Sequence, residues 1–139
     1  MPQFKIVYSR YRSSPTIELL KDGEPFWEDI PGAKKHFRFG VNKAILILAC
    51  IKPIKEFNDS DGRRPKAEGT KVQSKEWGTQ CDLKRHKGFN RRGTWYDKPY
   101  LEIRATDFIA FGQLKAQAIV QHEDNIKRFV QKNYKRHIT

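Results

Sequence analysis

A chain of 139 residues, with 37% apolar and 12% aromatic side chains, can bury one core without covalent staples. Its 28 Lys and Arg against 16 Asp and Glu leave a net charge of +12, which repels itself unless a polyanion relieves it. The longest apolar run, Ala44–Ile51, is too short to span a membrane, and two cysteines are too few for a disulfide framework.

The residues Phe4–Tyr8 read as a leading strand. Along this N-terminal segment Lys5, Tyr8, Arg10, Tyr11 and Arg12 interleave aromatic and basic side chains, and extended backbone puts Tyr8, Arg10 and Arg12 on one face. Thr16–Leu20 and Pro25–Ile30 are predicted to form a hairpin around Asp22-Gly23, because both turn positions tolerate positive φ. A short strand, His36–Phe39, leads to Gly40 and a helix, Lys43–Cys50, with Ala44, Ile47, Leu48 and Ile51 on one face. Cys50 reads as a small buried hydrophobe. Pro53 is predicted to open a second short helix, Ile54–Phe57, since proline is tolerated in a first turn. Residues 58–93, rich in Gly, Ser, Thr and charge, read as a long loop. Trp95–Tyr96 and Tyr100–Arg104 are then predicted to pair as a hairpin, followed by a short strand, Phe108–Phe111, and a helix, Leu114–Gln121. His122–Asn125 is the expected break after it.

The chain resembles itself at an offset of 72 residues. Phe39-Gly40-x-x-Lys43-Ala44 recurs as Phe111-Gly112-x-x-Lys115-Ala116, and Ile47, Ile54-Lys55 and Phe57 recur as Ile119, Ile126-Lys127 and Phe129. That makes eight identities in the nineteen positions 39–57, where chance gives roughly one. Upstream, Glu24-Pro25-Phe26-Trp27-Glu28 resembles Lys98-Pro99-Tyr100-Leu101-Glu102 at a slightly different offset. The expected fold is α+β: two repeated ββ(β)α units, 1–58 and 94–139, joined by a basic loop, 59–93. The two units are expected to form one mostly antiparallel sheet with helices on one face, within one compact domain. In outline this is similar to the PUR and whirly folds, repeat-built single-strand binders; no signature motif of either is present, and no residue is carried over.

The densest basic run, Lys84-Arg85-His86-Lys87-Gly88-Phe89-Asn90-Arg91-Arg92, holds five formal positive charges and no acid, and Trp95 and Tyr96 follow it. Cations there neutralise phosphates and aromatic rings stack on unpaired bases. The two Phe-Gly-x-x-Lys motifs offer helix N-termini with Lys43 and Lys115 beside them, a phosphate-binding pattern if exposed. Lys132, Lys135, Arg136 and His137 form a basic C-terminal helix end. Cys81 and His86 lack a second pair to complete a zinc site, and neither a phosphate loop nor a nucleophile motif occurs. The expectation is therefore a nucleic-acid-binding protein, not an enzyme, preferring single-stranded DNA or RNA. Its contacts would be Lys84, Arg85, Lys87, Arg91, Arg92, Trp95, Tyr96, Tyr8, Arg10, Arg12, Lys43 and Lys115, with no cofactor, metal or membrane. A structural role in a ribonucleoprotein or virion is the first alternative, and a small metal-dependent nuclease the second. The expected setting is intracellular, with a larger nucleoprotein assembly or a homo-oligomer open as states.

Overall fold

The computed structural model describes residues 3–28, 30–31, 35–63, 71–74, 79–105 and 108–138; for 71–74 and 134–138 the backbone alone is described. The protein is α+β. Strands β1 (Phe4–Tyr11), β2 (Ser14–Lys21) and β3 (Phe37–Gly40) form one antiparallel sheet. Strands β4 (Lys71–Ser74), β5 (Thr79–Phe89), β6 (Trp95–Arg104) and β7 (Phe108–Phe111) form a second. Helices α1 (Val41–Ala49) and α2 (Ile51–Asp59) follow β3, and α3 (Gln113–Gln121) and α4 (Glu123–Ile138) follow β7. Across the halves, α1 packs on α4 and α2 on α3. Among the described residues no helix is long and apolar enough to cross a membrane.

The single sheet expected from the sequence is two sheets. The short strands β3 and β7 do not pair with each other. A small cavity of about 90 Å³ lies between them, lined by Phe37, Arg38, Phe108, Ile109 and Ala110, with Lys43 and Lys115 reaching in from the helices. Side chains thus stand where a shared hydrogen-bond ladder would have run.

Period-two burial builds the first sheet. Ile17 and Leu19 of β2 are fully buried opposite Phe39 and Phe37 of β3, while Glu18 pairs with Arg38 on the other face. Leu101, Ile103, Ile109 and Phe111 repeat that pattern between β6 and β7, and join the same core. The helices cover both inward faces with Ala44, Ile47, Ile54 and Phe57 from one pair and Ala116, Ile119, Ile126 and Phe129 from the other. Phe39 and Phe111 are core side chains too. The apolar residues that recur along the chain are thus packing residues.

Three expected connections differ. The Asp22-Gly23 turn forms, with φ of +51° and +83° and paired bonds between Lys21 and Glu24, but among the described residues only that one bridge follows it. Pro25 has no N–H to extend the ladder, and 25–28 leave the sheet. β2 instead pairs with β1 through Arg12 and Ser13, which take φ of +50° and +68° although neither is glycine. Trp95–Arg104 is one continuous strand rather than a hairpin. Pro99 is tolerated because β7 pairs only with Leu101–Arg104, so β6 is an open edge at residue 99. The match between 24–28 and 98–102 therefore joins a loop to a strand. Finally, 59–93 is not simply a loop: it holds the end of α2, then β4 and β5, and β5 carries most of the basic run.

The helix breaks lie close to expectation. Cys50 (φ −106°, ψ 19°) separates α1 from α2, and His122 (φ −111°, ψ 22°) separates α3 from α4. His122 is pinned by Nε2 against the Phe4 carbonyl at 2.8 Å and by Nδ1 against Asn125 Nδ2 at 3.0 Å. Pro53 sits third in α2, which starts at Ile51 rather than at the proline and runs on to Asp59.

Candidate nucleic-acid interface

The two hairpins end in basic and aromatic side chains. At the β5–β6 end, Asn90 organises the turn: its Oδ1 accepts from the Arg92 and Thr94 amides at 2.9 and 3.0 Å, and Gly93 takes φ +78°. Arg91 and Arg92 stand exposed on that turn. Phe89 and Trp95 face each other across the last rung, rings edge-on with centroids 5.1 Å apart, yet remain 68% and 53% exposed. On the opposite face His86 packs on Tyr96 at 5.0 Å, and Lys98 lies 5.8 Å above the Tyr96 ring. The Tyr96 ring lies close over Gly88, where a Cβ would meet its hydroxyl at 2.7 Å.

The five cations of the run divide by position. Lys84 Nζ pairs with Glu102 Oε1 at 3.0 Å, and Arg85 Nε donates to Asp97 Oδ1 at 2.9 Å. Glu102 is buried directly opposite Asp82 and is also paired with Arg104. Lys84 and Arg85 therefore neutralise the protein's own acids across the strand. Lys87 is exposed nearer the tip, with Arg91 and Arg92 beyond it.

The β1–β2 end is flanked by two clefts, and among the described residues no carboxylate lines either. The first, about 620 Å³, lies between β1 and α4 and is lined by Tyr8, Arg10, Arg128 and Lys132, among others. The Tyr8 ring stands 6.4 Å from Phe129. The second, about 490 Å³, lies at the start of α1 and is lined by Tyr11, Arg12, Thr16, Arg38, Asn42 and Lys43, among others. Arg12, displaced from the strand by its turn conformation, lies over the Tyr11 ring at 5.3 Å. It does not share the face of Tyr8 and Arg10 as the strand pattern predicted. The sequence reading missed Arg38 and Arg128, which join these clefts only through strand pairing and helix packing.

The two Phe-Gly-x-x-Lys motifs have different fates. Gly40 and Gly112 hold the same extended conformation ahead of their helices, with φ and ψ of −91° and −167° against −96° and −158°. At α3 the helix start is filled from within the protein. Glu28 Oε1 accepts from the Gly112 amide at 2.9 Å and Oε2 from the Leu114 amide at 3.0 Å. A Cβ at residue 112 would collide with that carboxylate at 2.5 Å. Burial pushes the Glu28 carboxyl above its ordinary range, against the pull of those amides and of Lys115. Lys115 is 1% exposed, its ammonium 5.3 and 6.0 Å from the Phe37 and Phe26 rings. Burial lowers its pKa while Glu28 opposes the shift. The expectation that Lys115 meets a phosphate is thus corrected: the anion there is Glu28. Lys43 remains partly exposed at the rim of its cleft, and Gly40 at the start of α1 has no side chain with which to cap it.

Cys50, Cys81 and Glu123 lie apart from the hairpin ends. Cys50 and Cys81 are both buried and share a thiol hydrogen bond, which lowers the Cys50 pKa and, with burial, raises that of Cys81. His86 lies on the other face of β5 from Cys81. Glu123 binds Lys55 at 2.7 Å and Lys127 at 2.9 Å. The side chains of Lys135, Arg136 and His137 lie outside the described residues. Comparison with known proteins adds no relative: no protein-family model, curated protein or solved structure matches this chain.

Proposed function

We propose that this protein binds single-stranded nucleic acid through its hairpin ends, as a binding module and not a catalyst. The observation that carries this reading is the β5–β6 end. Two large aromatic rings, Phe89 and Trp95, stand mostly exposed beside Arg91 and Arg92, and no acid occurs from Lys84 to Tyr96. A folded protein leaves such rings in water at a cost of roughly 25 cal/mol per Å² of apolar area, and an unpaired base removes it. The arginines supply phosphate contacts at the same place. The β1–β2 end repeats the combination with Tyr8 and Tyr11 beside Arg10, Arg12, Arg128 and Lys132. In this reading the two halves are repeated units whose shared residues build the core, and the partner is a strand of DNA or RNA.

Replacing Phe89 or Trp95 with alanine tests it. Each change is expected to weaken single-strand binding by about 1–3 kcal/mol, with stability altered by no more than about 0.5 kcal/mol, as at exposed sites. Binding curves indistinguishable from the parent protein's would refute the assignment.

A further inference from the structure

We propose that Cys50 and Cys81 are a redox pair, which an oxidant of the peroxide class joins into a disulfide that fastens the helices of the first half to the sheet of the second. The pair lies in the core and is independent of the nucleic-acid reading.

These are the only two cysteines in the chain, and they come from different halves. Cys50 sits at the break between α1 and α2, and Cys81 lies near the start of β5. Yet both are buried in one core, 1% and 0% exposed, with their thiols hydrogen-bonded to each other. The β5–β6 ladder sets Cys81 opposite Ile103, with Leu83 and Leu101 on the same inward face. Cys50 is turned toward it where the helix breaks, at φ −106° and ψ 19°. Hydrogen-bonded sulfurs need only small side-chain shifts to reach the disulfide length of about 2 Å. Other chemistry does not claim them: among the described residues no group of His, Cys, Asp and Glu could hold a metal ion.

The hydrogen bond also assigns the roles. The Cys81 thiol donates to the Cys50 sulfur, which holds the Cys50 pKa down, while that bond and burial push Cys81 up. Cys50 is therefore the nucleophile. Its thiolate sulfur attacks one oxygen of the peroxide, the O–O bond breaks, and the hydroxide that leaves takes up a proton to become water. The Cys81 sulfur then attacks the sulfenic sulfur of Cys50. The S–O bond breaks, and the departing hydroxide takes the Cys81 proton and leaves as a second water. Two thiols and one hydrogen peroxide thus give one disulfide and two waters, the sulfurs losing the two electrons that the peroxide gains. Peroxide is close to water in size, and Cys50 is flanked by the half-buried Ala49 and Ile51, so a local opening at the helix break admits it.

The full chain, reduced and freed of reductant, is treated with hydrogen peroxide, then unfolded, alkylated and weighed by mass spectrometry. The expected product is a monomer lighter by two hydrogens, which takes up no alkylating agent and yields one cross-linked peptide containing Cys50 and Cys81. Closing a loop of roughly 30 residues should raise Tm by about 10 °C, and dithiothreitol should return it to the reduced value. Cys81→Ala leaves Cys50 without its partner, so peroxide should add oxygen to Cys50 and bring no rise in Tm. Where that variant fails to fold, the mass and Tm of the parent chain decide alone. Two thiols still open to alkylation after peroxide overturn the pair. So does oxygen added to either cysteine of the parent without a cross-link, or a cross-link that joins two chains. A Cys50–Cys81 bond that leaves Tm unchanged or lower overturns the fastening of the halves.

Discussion

The basic run of β5 offers a partition that binding measurements can resolve. By position, Lys84 and Arg85 serve Glu102 and Asp97, whereas Arg91 and Arg92 stand on the turn and make no ion pair among the described residues. Two double variants follow, Lys84→Gln with Arg85→Gln, and Arg91→Gln with Arg92→Gln. Each removes two formal charges, so net charge falls equally. Each phosphate contact on a single strand contributes about 0.7 to the slope of log affinity against log salt. The Arg91/Arg92 variant should therefore lower that slope by about 1.4, with Tm unchanged. The Lys84/Arg85 variant should leave the slope nearly intact. It should instead lose roughly 1–3 kcal/mol of stability, because Glu102 is buried and loses one of its two cations. Anisotropy titrations of a labelled oligonucleotide between about 50 and 200 mM salt, paired with thermal melts, read both quantities. Equal slope losses from the two variants would refute the partition and show that charge acts by number, not by place.

Two further outcomes follow from the structure. Glu28→Ala removes the carboxylate from the start of α3, and should cost roughly 1.5–3 kcal/mol in denaturant unfolding for the lost bonds to a charged acceptor; a stability within error of the parent would show that water replaces Glu28 freely. Hydrogen bonds from Lys55 and Lys127 hold the Glu123 carboxyl below the ordinary carboxylate value of 4.5. The folded state therefore binds its proton later than the unfolded state does. The stability this ion pairing contributes is present above that ordinary value and is lost as pH falls through the lowered one. Thermal melts from neutral pH to about pH 2 should show a shallower acid limb for Glu123→Gln, and matching limbs would contradict the assignment.

The α+β class, helices α1 to α3 and the two breaks follow from local pattern, while the pattern offered α4 only as a basic C-terminal helix end. Apolar spacing places Ala44 and Ile47, and again Ala116 and Ile119, on buried faces, and both breaks fall within a residue or two of expectation. The recurrence at 72 residues marks the core for the same reason, since a helix face repeats within a few residues of sequence. Strand pairing is not local, and there the pattern misled. Asp22-Gly23 has the favoured turn residues and forms its turn, but the strand that pairs with β2 comes from the other direction, closed by the less suited Arg12 and Ser13. The energy of the full β1–β2 ladder and of Ile17 and Leu19 in the core outweighs the propensity of two turn residues.

The sequence by itself determined the charge, the packing residues and the concentration of basic and aromatic side chains near Phe89, Trp95 and the N-terminal strand. Only the tertiary structure decided which of those charges face outward. Lys43 and Lys115 occupy identical motifs, and nothing within a few residues tells them apart. What separates them is Glu28, brought from 84 residues away to the Gly112 amide, which closes one helix start and leaves the other open. Charge is a property of a residue, but whether it meets solvent or another side chain is set by contacts that cross the whole chain.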